Sequence, residues 1–98
     1  MTDYLFLMHD DAVRPVDASA WGPYLAGLRT SGCLEGGSAI GAGVRVRKSG
    51  PDGEITPGLG GYLKVKADGL EAARALLGGN PVFEAGGSVE IRELPRTD

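Results

Sequence analysis

Tyr4-Leu5-Phe6-Leu7-Met8 forms a continuous apolar run that closes on the polar triplet His9-Asp10-Asp11. Its length suits a strand, and the unbroken run predicts one buried on both faces, hence central in a small sheet. After a polar loop with Pro15, Trp21, Tyr24, Leu25 and Leu28 recur at i, i+3, i+4 and i+7, which is one face of a helix. Asp17 or Ser19 suits its N-cap, Pro23 fits only its first turn, and Gly32 is a natural stop.

Cys33-Leu34 opens a second extended segment, interrupted by Gly36 and Gly37. Val44-Arg45-Val46-Arg47 then alternates apolar and basic, the pattern of a half-buried strand. Ser49-Gly50-Pro51-Asp52-Gly53 is dense in turn formers and reads as a loop between two paired strands. Leu63, Val65 and Ala67 alternate with Lys64 and Lys66 in the next strand. Asp68 with Glu71 three residues on is a variant capping box that opens a helix over Leu70, Ala73 and Leu77, ended by Gly78-Gly79. Beyond Asn80-Pro81, Val89-Glu90-Ile91-Arg92 is the last alternating strand. The order β, α, β, β, α, β predicts an α+β fold of ferredoxin-like, split βαβ type, with two helices on one face of an antiparallel sheet. The opposite face is then bare. Because Tyr4, Phe6 and Met8 alternate with Leu5 and Leu7, the first strand offers apolar groups to both faces. A two-fold homodimer that buries at least part of the Tyr4, Phe6, Met8 stripe is expected.

Composition narrows the class. Ninety-eight residues make one domain, residues 1–98, able to bury roughly 65% of the unfolded surface without staples. Hydrophobic residues at 42% and charged residues at 23% are globular values. The 17 glycines fall in clusters rather than at a fixed period, as many turns between short elements require. Ten basic against thirteen acidic residues leave a net charge of -3, which argues against nucleic acid as a partner. The single Cys33 cannot form an internal disulfide, fits a reducing compartment, and reads as a small buried hydrophobe. The apolar run at the N-terminus is too short for a signal core or a membrane span, so the cytoplasm is expected and a membrane is not.

Read together, YLFLMHDD, W..Y...L..SG.LEGG, VRVRKSG, LGGYLKVKADGLEAARAL, and NP followed by GGSVEIREL resemble the YCII-related family over nearly the whole chain. The resemblance implies a ferredoxin-like monomer paired sheet to sheet as a dimeric α+β barrel, with a pocket between sheet and helices near the dimer seam. Members similar to the bacterial prototype carry a His in the first helix and an Asp just before a Pro, an implied acid/base pair. Those positions hold Trp21 and Asn80, and neither indole nor carboxamide shuttles a proton near neutrality. A second subgroup carries a DGPF motif before its LGGY strand, whereas this chain has ITPGLGGY, shorter and without that Asp or Phe.

The candidate chemistry is sparse. His9, the only histidine, sits at the end of a central strand beside Asp10 and Asp11; it reads either as a proton-transfer group or as a strand-end histidine with an ordinary hydrogen bond. One His with two adjacent aspartates is a poor metal site, and a turn role suits Asp10 and Asp11 better. Trp21 and Tyr24 either stack on a planar ligand or anchor the helix to the sheet. Asn80 either orients a ligand carbonyl or carboxylate, or closes a helix in the left-handed region before Pro81. Gly41-Ala42-Gly43 lacks the third glycine of a dinucleotide loop, and Lys48-Ser49 lacks the glycine a phosphate loop needs, so no cofactor is expected. If their strands pair, Arg45, Arg47, Lys64 and Lys66 share the uncovered face, balanced by solvent, by Glu84 and Glu90, or by an anionic ligand. The leading expectation is a homodimer that binds a small planar acid without prototype acid/base catalysis. Trp21 and Tyr24 would be its flat wall, Asn80 its donor and acceptor, and Arg45 and Arg47 its paired donors. The alternatives are a small isomerase or lyase with His9 as proton carrier and Asn80 as orienter, and a protein-interaction module.

Overall fold

The computed structural model describes residues 1–96; the last two residues of the expected domain lie outside the described residues. The apolar run becomes strand β1 (Thr2–His9), which lies between β3 (Leu59–Ala67) and β4 (Val89–Leu94), while β2 (Leu34–Ala39) flanks β3. All three pairings are antiparallel and the sheet order is β2-β3-β1-β4. The central position expected for the first strand is therefore the observed one.

Burial on both faces is not observed. Tyr4, Phe6 and Met8 are buried, whereas Leu5 and Leu7 are only half-buried. The chain measures 19 Å along its shortest axis, room for a sheet and one helix layer stacked about 10 Å apart, with no third layer. Strict alternation then sends every second residue of β1 under the helices. Phe6 lies between Leu63 on one side and Ile91 on the other. Leu5 and Leu7 face away from the helices, beside Lys64, Tyr62, Glu90 and Arg92. The Tyr4, Phe6, Met8 stripe is thus part of the internal core and does not lie on the bare face, which corrects the surface expected for pairing.

The helical layer follows the 3.6-residue period. Asp17 caps a short 3-10 turn (Ala18–Ala20) by accepting from the Ser19 N–H, and α1 (Trp21–Thr30) continues from it, with Tyr24 and Leu28 buried. Pro23 falls in the first turn. The helix ends at a Schellman motif: Cys33 N–H donates to the Leu28 carbonyl and Gly32 N–H to the Arg29 carbonyl, both at 3.0 Å. Gly32 sits at φ 77°, the backbone such a stop demands. Helix α2 (Leu70–Ala75) buries Ala73, with Leu77 buried in the turn after it. Its N-cap is Gly69 at φ 146° with no side-chain bond, so the expected Asp68–Glu71 box does not form. A four-residue helix that the periodicity does not reveal, α3 (Pro81–Glu84), precedes β4.

The largest departure lies between β2 and β3. Val44 to Arg47 form no strand; only a single bridge joins Arg45 to Gly53, with Gly53 N–H donating to the Arg45 carbonyl at 2.8 Å. Ala39 pairs with Gly61 and Arg45 with Gly53, so residues 40–58 continue the β2–β3 hairpin outward as an arm. Val44 and Val46 are 68% and 72% exposed. The alternation is genuine, but both valines stay largely exposed among the described residues.

This division of the apolar residues has a measurable consequence. Phe6→Ala is expected to lower the unfolding free energy by about 3–5 kcal/mol, and Val46→Ser to change it by less than about 0.5 kcal/mol. Urea unfolding followed by circular dichroism checks both. A Val46 effect as large as that of Phe6 would show the arm packed in solution.

Candidate functional site

A chiefly apolar cavity of ≈ 430 Å³ lies between the outer flank of α1 and the strands β2 and β3. Trp21, Leu25 and Arg29 come from the helix; Met8, Leu34 and Leu63 come from the sheet. Gly37 of β2 stands opposite Leu63 on the helix side of the sheet, and a Cβ there would lie 2.5 Å from both Leu63 Cδ2 and the Tyr62 carbonyl oxygen. Glycine at that position permits close approach of the two strands.

Trp21 is half-buried and meets Tyr24 edge to face, with ring centroids 6.1 Å apart and planes at 67°. Tyr24 is fixed in turn: its hydroxyl donates to the Leu76 carbonyl at 2.8 Å and ties α1 to the end of α2. Burial pushes the Tyr24 phenol above its ordinary pKa, and the Asn80 carboxamide acts against that rise. Asn80 is fully buried. Its backbone is extended, at φ -63° and ψ 120°, and its Oδ1 accepts from the Val82 and Phe83 amides at 3.0 and 3.1 Å. It caps α3 at the N-terminus, so the left-handed closure of a preceding helix is corrected. Its Nδ2 has no hydrogen-bond partner among the described residues. The support therefore runs inward from the cavity, from Trp21 to Tyr24 and on to the Leu76 carbonyl.

The six candidate residues do not converge. Trp21 alone lines this cavity; Tyr24 stands behind it and borders a second depression between α1 and the end of α2. His9 lies elsewhere, its Nε2 3.2 Å from Glu90 Oε1, while Glu90 Oε2 accepts from Arg92 Nη1 at 3.0 Å. Those partners, Arg92 first, hold the Glu90 carboxyl below its ordinary pKa. Arg45 and Arg47 sit on the arm, Arg47 donating to the Pro51 carbonyl at 3.3 Å. They do not share a sheet face with Lys64 and Lys66, which corrects the expected four-cation face. Lys64 pairs instead with Asp3 at 3.9 Å and Lys66 with Glu35 at 3.0 Å. Glu84, offered as a balancing acid, accepts from the Gly79 amide.

Asp11 has a turn role. It accepts from the Ser88 amide at 2.7 Å and the Ser88 hydroxyl at 2.6 Å, stitching the end of β1 to the start of β4, and the hydroxyl bond first of all lowers its pKa. Cys33 is half-buried rather than enclosed. No cluster of three or more His, Cys, Asp or Glu suited to a metal occurs among the described residues. No helix among them is long and apolar enough to cross a membrane.

The pattern reading missed Arg29. It follows Leu25 by four residues and Trp21 by eight, so the helical spacing that marked the apolar stripe also places a guanidinium at its end. Of the residues lining the cavity, Arg29 alone carries a formal charge, and no histidine or carboxylate stands among them. The arrangement suits holding a ligand better than moving a proton. Compared with known proteins, the chain matches no family model and no curated sequence.

The acid limb of stability is expected to reflect Asp11 and Glu90. Both have folded pKa values below their ordinary 3.8 and 4.5. Their contributions are thus fully present above those values and are lost as pH falls through the lower folded ones. Thermal unfolding followed from about pH 6 to pH 2 should show Asp11→Asn with a shallower loss than the parent chain; equal slopes would remove Asp11 from the account.

Proposed function

We propose that this chain is a ferredoxin-like, YCII-related domain that works as a homodimer and holds a small planar acid in the cavity beside Trp21. The observation that carries the binding part is the cavity itself. Its ≈ 430 Å³ falls in the size range of small-molecule sites, and its lining is chiefly apolar with an aromatic face and few polar groups. The indole is supported from behind by Tyr24, so a flat ligand meets a held surface rather than a mobile one.

The strand order β2-β3-β1-β4 with helices on one side supports the ferredoxin-like reading, since a split βαβ unit produces that order. The pairing part rests on the uncovered face. Leu5 and Leu7 are half-buried there and Tyr62 is 36% exposed. Around them stand Asp3 with Lys64, Glu35 with Lys66, and Glu90 with Arg92, so both signs of charge alternate across the face. An isologous contact would cover the leucines, with charges of both signs at hand around them for pairing across it. Protein-only surroundings and a cytoplasmic setting belong to the same reading. The rival, an isomerase or lyase built on His9, has the His9–Glu90 pair in its favour, yet neither residue lines the cavity.

Sedimentation equilibrium at micromolar concentration is expected to give twice the 10.1 kDa chain mass, and Leu7→Lys to give the chain mass with an unchanged circular dichroism spectrum. A parent chain that sediments as a monomer ends the dimer reading. Trp21 is the only tryptophan. Its emission, with the melting temperature, reports ligand directly, since a molecule bound only by the native state raises the latter. A panel of aromatic acids that moves neither quantity ends the binding reading.

A further inference from the structure

We infer that Arg29 is the anion anchor of the cavity, and that the ligand class is an aryl monocarboxylate whose ring lies against Trp21 and whose carboxylate lies on the guanidinium. The inference rests on the cavity being a ligand site.

Helix α1 places Trp21, Leu25 and Arg29 at successive four-residue steps along the cavity flank. Eight residues rise about 12 Å along a helix. Both side chains lean toward the helix N-terminus, the arginine being the longer. Along that flank a one-ring acid with a short carboxylate arm meets Trp21 with its ring and Arg29 with its carboxylate.

The backbone of Arg29 is fixed while its side chain is free. Its carbonyl accepts the Gly32 amide within the Schellman stop, and its peptide cannot drift. Among the described residues the guanidinium makes no ion pair and no hydrogen bond, although Lys64, Lys66 and Arg92 on the sheet each face a carboxylate. An unengaged cation at the lip of an apolar cavity has its donors available to an incoming anion.

The count of charges selects the anion. The lining has one cation and no carboxylate. A single planar fork matches one carboxylate through two parallel N–H donors. A phosphate ester carries more charge than one guanidinium balances. Nor does the lining include a helix N-terminus with several free amides, because the Trp21 N–H already donates to the Ala18 carbonyl. The opposite end of the ligand meets Met8, Leu25, Leu34 and Leu63, which accept carbon and offer no hydrogen bonds from their side chains.

Phenylacetate and phenylacetamide separate the terms, since they share a ring and a shape and differ in charge. The full-length chain is titrated with each, followed by Trp21 emission and by saturation-transfer NMR on the ligand. Phenylacetate should saturate at a concentration about ten-fold or more below the amide, as charge-assisted paired donors require. Arg29→Gln should bring the acid to the level of the amide and leave the amide unmoved, with an unchanged melting temperature in the absence of ligand. Arg45→Gln should change neither. If acid and amide saturate together in the parent chain, or the acid keeps its advantage in Arg29→Gln, the anchor assignment is overturned and the cavity reading stands. If neither compound saturates, the cavity reading fails and takes the anchor with it.

Discussion

Strand β1 runs between β3 and β4 with helices over one face only, and a β-strand sends successive side chains to opposite sides. This rule divides an apolar run that looks uniform. Tyr4, Phe6 and Met8 go under the helices, where Phe6 and Val65 have no exposed surface. The same register puts Leu5 and Leu7 among the charged pairs of the other face. Shifting β1 by one residue would exchange the two sets and place two leucines where three larger side chains now fill the core. The placement of Tyr24 and Leu28 against the sheet, and so the position of the cavity flank, depends on that register.

Much of this was legible in the chain. The i, i+3, i+4, i+7 recurrence from Trp21 to Leu28 marked α1, and Gly32 marked its stop, because both signals are local and the physics behind them is local. The alternation in β3 and β4 was equally plain. Val44 to Arg47 shows the limit of such signals. Its pattern equals that of a half-buried strand, but burial needs a second layer, and the helices do not extend over the arm. Two residues on a strand do not state what lies above them. Helix α3 escaped for another reason: four residues are about one turn, too short for a period to appear, and its only herald was Asn80-Pro81. Read as an N-cap followed by proline at the first helical position, that pair announces a helix; read as a helix end, it announces a stop. Both uses are physically sound, and tertiary context selected the first.

The site was less legible than the fold. Trp21 was placed at a flat wall from its residue type, and it lines the cavity. Arg45 and Arg47 were assigned to the ligand through a strand pairing that does not form. Asn80 was assigned through its carboxamide, which is engaged two layers back as a cap. Arg45, Arg47 and Asn80 thus stand apart from the cavity that Trp21 lines. Distances between elements come from topology, and a pattern of polar and apolar positions carries topology only weakly. Arg29 was accessible to the same spacing argument that found Leu25. A cation in the last turn of a helix also suits the C-terminal carbonyls, so its presence there does not by itself announce a ligand.

The cavity and the core are coupled through Gly37. A side chain there would collide with Leu63 and with the backbone of Tyr62, so glycine lets β2 lie this close to β3 at that point of the register. The lack of a side chain that permits this approach also leaves part of the space above β2 vacant. Leu63, which that approach accommodates, is buried in the core and lines the cavity at once. Enlarging residue 37 would therefore disturb pairing before it reduced cavity volume. Trimming Leu63 would enlarge the cavity at a cost in core packing. A site made in this way is held by the fold itself, because the contacts that stabilise the sheet also determine its shape. Its floor is correspondingly hard to alter by single substitutions, whereas its lip, where Arg29 projects from a helix end, is open to change at little structural cost. Under the proposed reading, specificity between related ligands resides at the lip and affinity for an apolar ring in the floor.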